Sequence, residues 1–324
     1  MWAIQIEQTG GPEVMQWREL ADPEPAAGQV VVELAAAGLN FIDTYQRSGL
    51  YDVPMPYVLG LEGAGVVAAV GDGVTRWSVG DRVAWASGAG SYATHVALAA
   101  DQVVAVPESV DLETAAAIPL QGMTAHYLVT DTFELGAGSR CLVHAGAGGV
   151  GLLLIQMAKL LGAEVFTTVG TEEKAELARA AGADHTILYR DVDFAEAITE
   201  IAGPRPLDVV YDGVGKSVFD QSLTVLRPRG MMVTFGNASG PVDPVSPLTL
   251  SANGSIFLTR PTLFHYIAER SELERRAADL YRWIGAGQLD VRIGHRFPLA
   301  DAADAHRAIE ARRTTGKVLL LPPA

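Results

Sequence analysis

The sequence predicts an α/β protein in which a doubly wound parallel sheet is inserted into a mostly β domain with a partly closed barrel. Three observations predict this fold. The chain up to Val106 reads as short strands with close glycines, and from Arg140 onward strands alternate with helices. A glycine-rich turn joins the first alternating strand to its helix. We therefore assign residues 1–120 and 261–324 to one domain, and residues 121–260 to the domain inserted in it.

The N-terminal segment is predicted to be β-rich because apolar stretches are separated by turn signals at Gly10-Gly11-Pro12 and Pro23-Glu24-Pro25. The predicted strands cover residues 2–6, 15–19, 29–34, 60–70, 81–85, 92–98 and 103–106. The character changes at Asp111, where an alanine-rich helix begins, and residues 124–130 continue helically.

The central segment alternates strands and helices at the spacing typical of a parallel sheet. The predicted strands cover residues 141–145, 164–169, 186–188, 208–211, 231–235 and 255–258. The helices between them include 150–161 and 172–181, and each is followed by a glycine. After Pro261 the sequence predicts a long helix over 265–286, an extended stretch over 291–298, a helix over 300–312 and a strand over 317–321.

The turn between the first alternating strand and its helix indicates a dinucleotide site. Gly146, Gly148 and Gly151 have the spacing G-x-G-x-x-G, and the helix starts near Gly149 and Val150. Such glycines permit a tight turn, close approach of the backbone to a pyrophosphate, and close helix–strand packing. Glycine triplets are also common in ordinary loops. The position of this one between a strand and a helix favours a dinucleotide site. We expect cofactor and substrate to meet in the cleft between the domains.

The end of the second alternating strand favours NADPH over NADH. NAD enzymes of this class place Asp or Glu there for the ribose 2′-hydroxyl, whereas this strand runs into Gly170-Thr171. Lys174 and Tyr189-Arg190 are candidates to contact a 2′-phosphate. The two glutamates at 172–173 are counter-evidence, although they also suit the start of a helix. Lys174 could equally be an ordinary exposed lysine.

Composition limits the classes of function. The formal net charge is −14, with 49% hydrophobic and 19% charged residues, as in globular proteins. The acidic balance argues against general binding of nucleic acid. The apolar runs are too short to span a bilayer, and the N-terminus lacks the pattern of a signal peptide. The single cysteine excludes an intramolecular disulfide and fits a reducing cytosol, so we expect a cytoplasmic protein without a membrane partner.

Several motifs together carry a resemblance that covers nearly the whole chain. They lie at residues 38–45, 47–51, 60–65, 144–151, 169–171, 235–240 and 259–261. The sequence resembles the zinc-independent, zeta-crystallin-like quinone oxidoreductases of the medium-chain dehydrogenase/reductase superfamily. The resemblance implies a GroES-like domain that carries the catalytic residues and a Rossmann domain that binds NADPH. It also implies hydride transfer from NADPH to a quinone or other activated carbonyl compound, which in this family often passes through a semiquinone.

The residues argue against zinc. Zinc alcohol dehydrogenases of the superfamily carry Cys where this chain has Asn40 and His where it has Leu61. A catalytic zinc needs about three Cys, His or carboxylate ligands, whereas this chain has one cysteine and seven scattered histidines. Glu62 alone is no metal site. A quinone is already electron-poor, so it can accept a hydride by positioning and hydrogen bonding without a metal.

The resemblance implies a catalytic group of Asn40, Tyr45, Tyr51 and Arg260. Either tyrosine could donate to a substrate carbonyl, and Asn40 could orient the substrate or the nicotinamide carboxamide. Each has a structural alternative. The tyrosines could cap a loop with satisfied hydroxyl groups, and Arg260 could form a salt bridge between the domains.

The resemblance also implies cofactor contacts outside the glycine turn. These candidates are Phe41, Ile42, Thr124, Phe235, Gly236, Asn237 and Arg312. Phe41 and Ile42 could instead be core residues, Thr124 a helix cap, and the neighbouring Arg313 leaves the register of Arg312 open. Gln121 is a further candidate to face the pocket.

Two other functions stay open. Reductases of activated alkenes, such as enones or enoyl thioesters, belong to the same superfamily. Some relatives act as lens proteins or bind AU-rich RNA, but the net charge argues against RNA and the cofactor motifs argue against a purely structural role. The family is typically dimeric through edge strands of the nucleotide sheets. Residues 255–258 are a candidate edge for a homodimer, although an unpaired terminal strand is the simpler interpretation.

Overall fold

The computed structural model describes residues 1–323. The chain divides into two compact units. One consists of Met1–Met123, Ile267–Gly287 and the chain from Val291 onward, and we call it the mixed-sheet unit. The other consists of Thr124–Tyr266 and Gln288–Asp290, and we call it the parallel-sheet unit.

Similar numbers of the described residues lie in strands and in α-helices. The strands are β1 (Trp2–Ile6), β2 (Gln16–Glu19), β3 (Gln29–Leu39), β4 (Tyr57–Val58), β5 (Glu62–Val70), β6 (Arg82–Trp85), β7 (His95–Ala99), β8 (Val104–Ala105), β9 (Arg140–His144), β10 (Glu164–Val169), β11 (His185–Leu188), β12 (Leu207–Asp212), β13 (Leu226–Thr234), β14 (Phe257–Thr259), β15 (Ile293–Pro298) and β16 (Lys317–Leu321). The helices are α1 (Phe41–Ser48), α2 (Leu112–Ala117), α3 (Pro119–Tyr127), α4 (Gly149–Leu160), α5 (Glu172–Ala180), α6 (Phe194–Ala202), α7 (Phe219–Val225), α8 (Pro247–Ala252), α9 (Leu263–Tyr266), α10 (Arg270–Gly285) and α11 (Ala302–Glu310). A π-helical turn, Leu128–Thr132, extends α3. No helix of residues 1–323 combines the length and apolar character needed to cross a bilayer.

The parallel-sheet unit contains the predicted doubly wound sheet. Its strands are ordered β11-β10-β9-β12-β13-β14, and every neighbouring pair is parallel. This is the strand order of the Rossmann fold. The inner strands are almost wholly buried because helices cover such sheets on both faces. The predicted fold class is confirmed here.

The mixed-sheet unit is built on two sheets. The larger has the order β15-β16-β3-β5-β6-β8, and β7 also pairs with β3. The smaller has the order β2-β1-β4. Apolar residues of both sheets and of α11 form one core, which includes Ile4, Val32, Trp85 and Ile309. β8 and β15 end the strand order of the larger sheet, which is compatible with the predicted partly closed barrel.

Several elements differ from the prediction, among them a divided helix, an unpredicted helix and an extended strand. The helix predicted over 265–286 is divided into α9 and α10, because the chain leaves the parallel-sheet unit after Tyr266 and buries Ile267 in the mixed-sheet unit. α1 was not predicted, because it is short and its buried residues include the polar Asp43 and Arg47. β3 extends beyond residue 34 to Leu39, where pairing with β5 and β16 overrides a weak strand propensity.

Candidate active site

The glycine-rich turn joins β9 to α4 at the carboxyl edge of the parallel sheet. A Cβ atom on Gly146 would overlap Thr167 Oγ1, and one on Gly151 would overlap the Ala145 carbonyl oxygen, so packing requires both glycines. A Cβ atom on Gly148 would meet only the Ala145 oxygen, at 3.2 Å, and its other side is open. The left-handed backbone conformation of this turn lies at Ala145, with φ 56°, and not at one of its glycines.

The start of α4 can hold a pyrophosphate. Gly148 is the N-cap residue, and Gly149 and Val150 form the first turn; no side-chain hydrogen bond caps this turn of the described chain. The backbone N–H groups of a helix start have no partner within the helix, and the helix dipole favours negative charge there. These residues therefore supply the backbone donors that a dinucleotide needs.

The next two strands end beside this turn. β10 is followed by Gly170 and by Thr171, whose hydroxyl caps α5 by accepting from Lys174 N at 3.4 Å. A Cβ atom on Gly170 would lie 2.9 Å from Tyr189 Oη and 3.3 Å from Arg190 Nε, so both side chains lie along the Gly170 backbone. The carboxylate at 172 pairs with an arginine of the same helix. The predicted 2′-phosphate residues are thus brought to one edge of the sheet.

Arg260 organises the loop that follows β13. Its Nη1 donates to the Thr234 carbonyl oxygen at 3.0 Å. With the Asn237 amide oriented so that its oxygen faces the guanidinium, that oxygen accepts from Arg260 Nη2 at 3.2 Å. A Cβ atom on Gly236 would overlap the Gly213 carbonyl oxygen, which explains the glycine. Arg260 therefore fixes the loop that carries the candidate cofactor residues Phe235, Gly236 and Asn237.

One segment of the mixed-sheet unit gathers most of the other candidates. Asn40 is the N-cap of α1, and Phe41 and Ile42 open the helix. The Phe41 and Tyr45 rings lie 6.2 Å apart between centroids, and the Tyr45 and Tyr51 rings meet edge-to-face at 5.3 Å. Tyr51 N donates to the Tyr45 carbonyl oxygen at 3.1 Å. The helix and the loop after it thus hold three aromatic rings together.

Two candidates lie elsewhere. Thr124 is buried inside α3, so it is not a helix cap. Arg312 is exposed in the turn after α11 and has a left-handed backbone, with φ 57°. Their contacts with a cofactor stay predictions.

Asn40 is only 3% exposed, and its side-chain amide is saturated with hydrogen bonds. Its Oδ1 accepts from Gln121 Nε2 and from Lys317 Nζ, each at 3.0 Å. Its Nδ2 donates to Glu62 Oε2 at 2.7 Å and to the Gly38 carbonyl oxygen at 3.2 Å. Asn40 is therefore held by the protein on all sides. Sequence reasoning missed Lys317, although a lysine that opens the apolar strand β16 was a visible signal.

A buried cation lies beside Asn40, where the resemblance gives the zinc alcohol dehydrogenases a Cys. The Lys317 ammonium forms a buried ion pair with Glu62, and both side chains are at most 2% exposed. Burial lowers the pKa of Lys317, and the Glu62 carboxylate opposes that shift. A metal ion beside Asn40 and Glu62 would have to displace this ammonium. Among residues 1–323 no group of three or more His, Cys, Asp or Glu is placed to hold a metal, so the residues present do not fit zinc.

A second buried network starts at Asp43, three residues after the N-cap. Asp43 Oδ2 accepts from Asn40 N and from Tyr92 Oη, each at 2.8 Å. Tyr92 Oη lies 3.3 Å from His306 Nε2, and His306 Nδ1 lies 3.1 Å from Arg47 Nη1. Because arginine only donates, His306 is neutral with its proton on Nε2. Donation therefore runs from Arg47 to His306, from His306 to Tyr92 and from Tyr92 to Asp43, while Arg47 also pairs with Glu310.

Asp43 is expected to make stability depend on pH. Burial raises its pKa from 3.8 to about 7, although the hydrogen bonds from Asn40 and Tyr92 oppose the shift. A raised carboxyl pKa stabilises the fold below the unfolded value, and that contribution is lost as the pH rises through about 7. Asp43→Asn removes the titration. Its Tm relative to the unmodified protein should therefore rise between pH 5 and pH 8.

Thermal denaturation across this pH range checks the prediction. Asp111→Asn is the control, because hydrogen bonds from Thr114 outweigh burial and lower the pKa of Asp111. Its Tm difference should stay constant between pH 5 and pH 8, since the group is ionised throughout. A constant difference for Asp43→Asn as well would contradict the assignment of the raised pKa.

Two family models match parts of the chain. Residues 26–108 match the family model described as the alcohol dehydrogenase GroES-like domain. Residues 149–282 match the model described as zinc-binding dehydrogenase. The second description names zinc, whereas residues 1–323 hold no group of three or more His, Cys, Asp or Glu placed to bind a metal.

Similarity to individual proteins specifies the family within this superfamily. A quinone oxidoreductase of Pseudomonas aeruginosa is 48% identical over 321 residues, which are 98% of this chain and 99% of that protein. A 2-haloacrylate reductase of a Burkholderia species is 42% identical over 330 residues, covering 99% of each chain. The crystal structure of the Escherichia coli quinone oxidoreductase complexed with NADPH has a TM-score of 0.98 and 43% identity, covering 99% of this chain and 100% of that one. The chain therefore belongs to the quinone oxidoreductase family of the medium-chain dehydrogenase/reductase superfamily.

Proposed function

We propose that the protein is an oxidoreductase that transfers a hydride from NADPH to a quinone without zinc. The observation that carries the proposal is the turn at Gly148, whose open side and free helix start suit a dinucleotide. A relative with the same fold was solved as an NADPH complex, which supports the choice of cofactor. NADPH supplies the hydride, and the chain supplies binding and orientation.

The preference for NADPH rests on the residues after β10 and β11. A 2′-phosphate would be bound by Lys174, Tyr189 and Arg190 beside the backbone of Gly170 and Thr171. Two cations and a phenol suit a dianion, whereas a carboxylate at this position would suit a ribose hydroxyl. Phe235, Gly236, Asn237, Thr124, Ile42 and Arg312 complete the cofactor contacts that we propose.

The aromatic rings that α1 gathers are the proposed substrate side. A planar, electron-poor quinone can pack on the rings of Tyr45 and Tyr51, while Phe41 is a proposed contact of the nicotinamide ring. The hydroxyl of Tyr45 or Tyr51 would donate to a quinone oxygen, where negative charge develops on reduction. Arg260 acts by fixing the loop after β13. Asn40 acts by holding the neighbouring polar groups, because its own amide is saturated.

A second candidate function is the reduction of activated alkenes. The 42% identical 2-haloacrylate reductase favours it, because that relative's name specifies an alkene. Both reactions need a hydride donor and an electron-poor acceptor, so the same pocket chemistry serves both.

We also propose a cytoplasmic homodimer that binds no nucleic acid. β14 ends the strand order of the parallel sheet, and Phe257 on it is 59% exposed. An apolar edge strand of this kind is a pairing surface for a second copy. The charge of −14 disfavours RNA, and the only cysteine, Cys141, is buried.

A panel of acceptors and cofactors tests these proposals. We expect quinones to oxidise NADPH at least about tenfold more efficiently than NADH, since the loss of one charged contact costs more than about 1.4 kcal/mol. Steady-state rates with quinones, enones and 2-haloacrylate would be compared at fixed NADPH. Reduction of alkenes alone would overturn the quinone assignment, and equal use of both cofactors would overturn the role of Lys174 and Arg190.

A further inference from the structure

A chain of buried polar side chains ends at Gln121 in the mixed-sheet unit. It begins at Glu62, whose carboxylate can only accept hydrogen bonds. Glu62 Oε2 accepts from Lys317 Nζ and from Asn40 Nδ2. The Asn40 amide must therefore present its NH2 group to Glu62 and its oxygen to the other side.

The orientation of Asn40 dictates the orientation of Gln121. Asn40 Oδ1 accepts from Lys317 Nζ and from Gln121 Nε2. Turning the Gln121 amide would set its oxygen against the Asn40 oxygen, and turning both would set the Asn40 oxygen against the Glu62 carboxylate. The ion pair at Glu62 thus fixes which amide atoms donate and which accept at Asn40 and Gln121. Gln121 must therefore present Oε1 away from Asn40.

Gln121 Oε1 has no hydrogen-bond partner among the described residues, although the side chain is only 8% exposed. An unpaired buried acceptor is costly and uncommon. The side chain is also held in place, because Glu62 Oε1 accepts from Leu120 N at 2.7 Å and so anchors the first turn of α3. Gln121 therefore offers a fixed acceptor that the protein does not use.

We propose that Gln121 Oε1 accepts a hydrogen bond from an N–H or O–H group on a bound ring, and that Glu62 and Lys317 are positioning residues for it. This inference rests on the proposed function. A quinone presents only acceptor oxygens, so it cannot satisfy Gln121. Two participants of the reaction carry a donor: the carboxamide of NADPH and the hydroxyl of the hydroquinone product.

The test uses ligands that lack the donor. The 3-acetylpyridine analogue of NADPH replaces the carboxamide NH2 by a methyl group, and a hydroquinone dimethyl ether replaces both hydroxyls. Dissociation constants of both cofactors, and inhibition by the hydroquinone and its ether, would be measured for the unmodified protein and for Gln121→Met. Gln102→Met, at an exposed glutamine of the same unit, is the matched control.

The two sources give different results. If the carboxamide is the donor, the unmodified protein binds NADPH about tenfold more tightly than the analogue, and Gln121→Met removes this preference. If the hydroxyl is the donor, Gln121→Met weakens inhibition by the hydroquinone by a similar factor and leaves inhibition by the ether unchanged. A folded Gln121→Met variant that retains both discriminations overturns the proposal.

Glu62→Gln provides a second variant. An amide at position 62 can both donate and accept, so it no longer fixes the orientation of the Asn40 and Gln121 amides. We expect the same discrimination to shrink, whereas a merely structural role would lower Tm and leave the ratio of the two affinities unchanged. A protein that binds NADPH and the analogue but reduces no quinone would refute the proposed function without refuting the role of Gln121.

Discussion

Lys317→Met is expected to lower the free energy of unfolding by about 3–5 kcal/mol, because it leaves the Glu62 carboxylate buried without its cation. Methionine matches the length of the lysine stem, so the loss measures the charge and not a cavity. Glu62 is fully buried, and its remaining donors, Asn40 Nδ2 and Leu120 N, are neutral. Denaturant unfolding monitored by circular dichroism gives the free energy directly.

Two variants make this result specific to the buried pair. Lys317→Met combined with Glu62→Gln should recover most of the loss, because no unpaired charge is then buried. Lys216→Met is the control, since Lys216 pairs with Asp243 on the surface and such pairs contribute about 0–1 kcal/mol. A loss for Lys317→Met no larger than for Lys216→Met would show that the ion pair is not the strong contact described here.

Gly148→Ala is expected to weaken NADPH binding by about tenfold or more, because overpacking a close contact costs about 1–3 kcal/mol. The backbone at Gly148 has φ −76°, which alanine adopts without strain. The added methyl would meet only the Ala145 carbonyl oxygen, at 3.2 Å, so the fold should persist. In the proposed site, the methyl would crowd the pyrophosphate against the start of α4.

Titration of NADPH fluorescence measures the affinity, and thermal denaturation checks the fold. Gly136→Ala is the matched control in the same unit, because a Cβ atom there would meet nothing within 4 Å. Its affinity and its Tm should equal those of the unmodified protein. Equal affinity for Gly148→Ala would place the pyrophosphate away from this turn.

The parallel sheet could be predicted because its strands are short apolar runs separated by glycine-marked helix ends. β10 and β16 have the predicted bounds, residues 164–169 and 317–321. The division of the helix at Ile267 could not be predicted, because both sides have good helix formers and the break comes from the passage between units. α1 was hidden for a different reason, since polar residues occupy its buried face.

The candidate site was predictable where it depends on local sequence. The turn from Gly146 to Gly151 can be recognised from its glycine spacing between a strand and a helix. The partners of Asn40 cannot be recognised in this way, because Lys317 lies 277 residues further along the chain and Gln121 lies 81 residues further. Only the fold reveals that Asn40 is saturated and that Gln121 carries the unused acceptor.

We propose that the chain brings NADPH to an electron-poor acceptor without a metal. Single-turnover oxidation of NADPH deuterated at C4, after mixing chelator-treated protein with a quinone, tests it most directly. We predict that NADPH is oxidised at the rate of untreated protein and more slowly when the transferred position carries deuterium. Oxidation that disappears after chelation and returns with zinc would contradict the account.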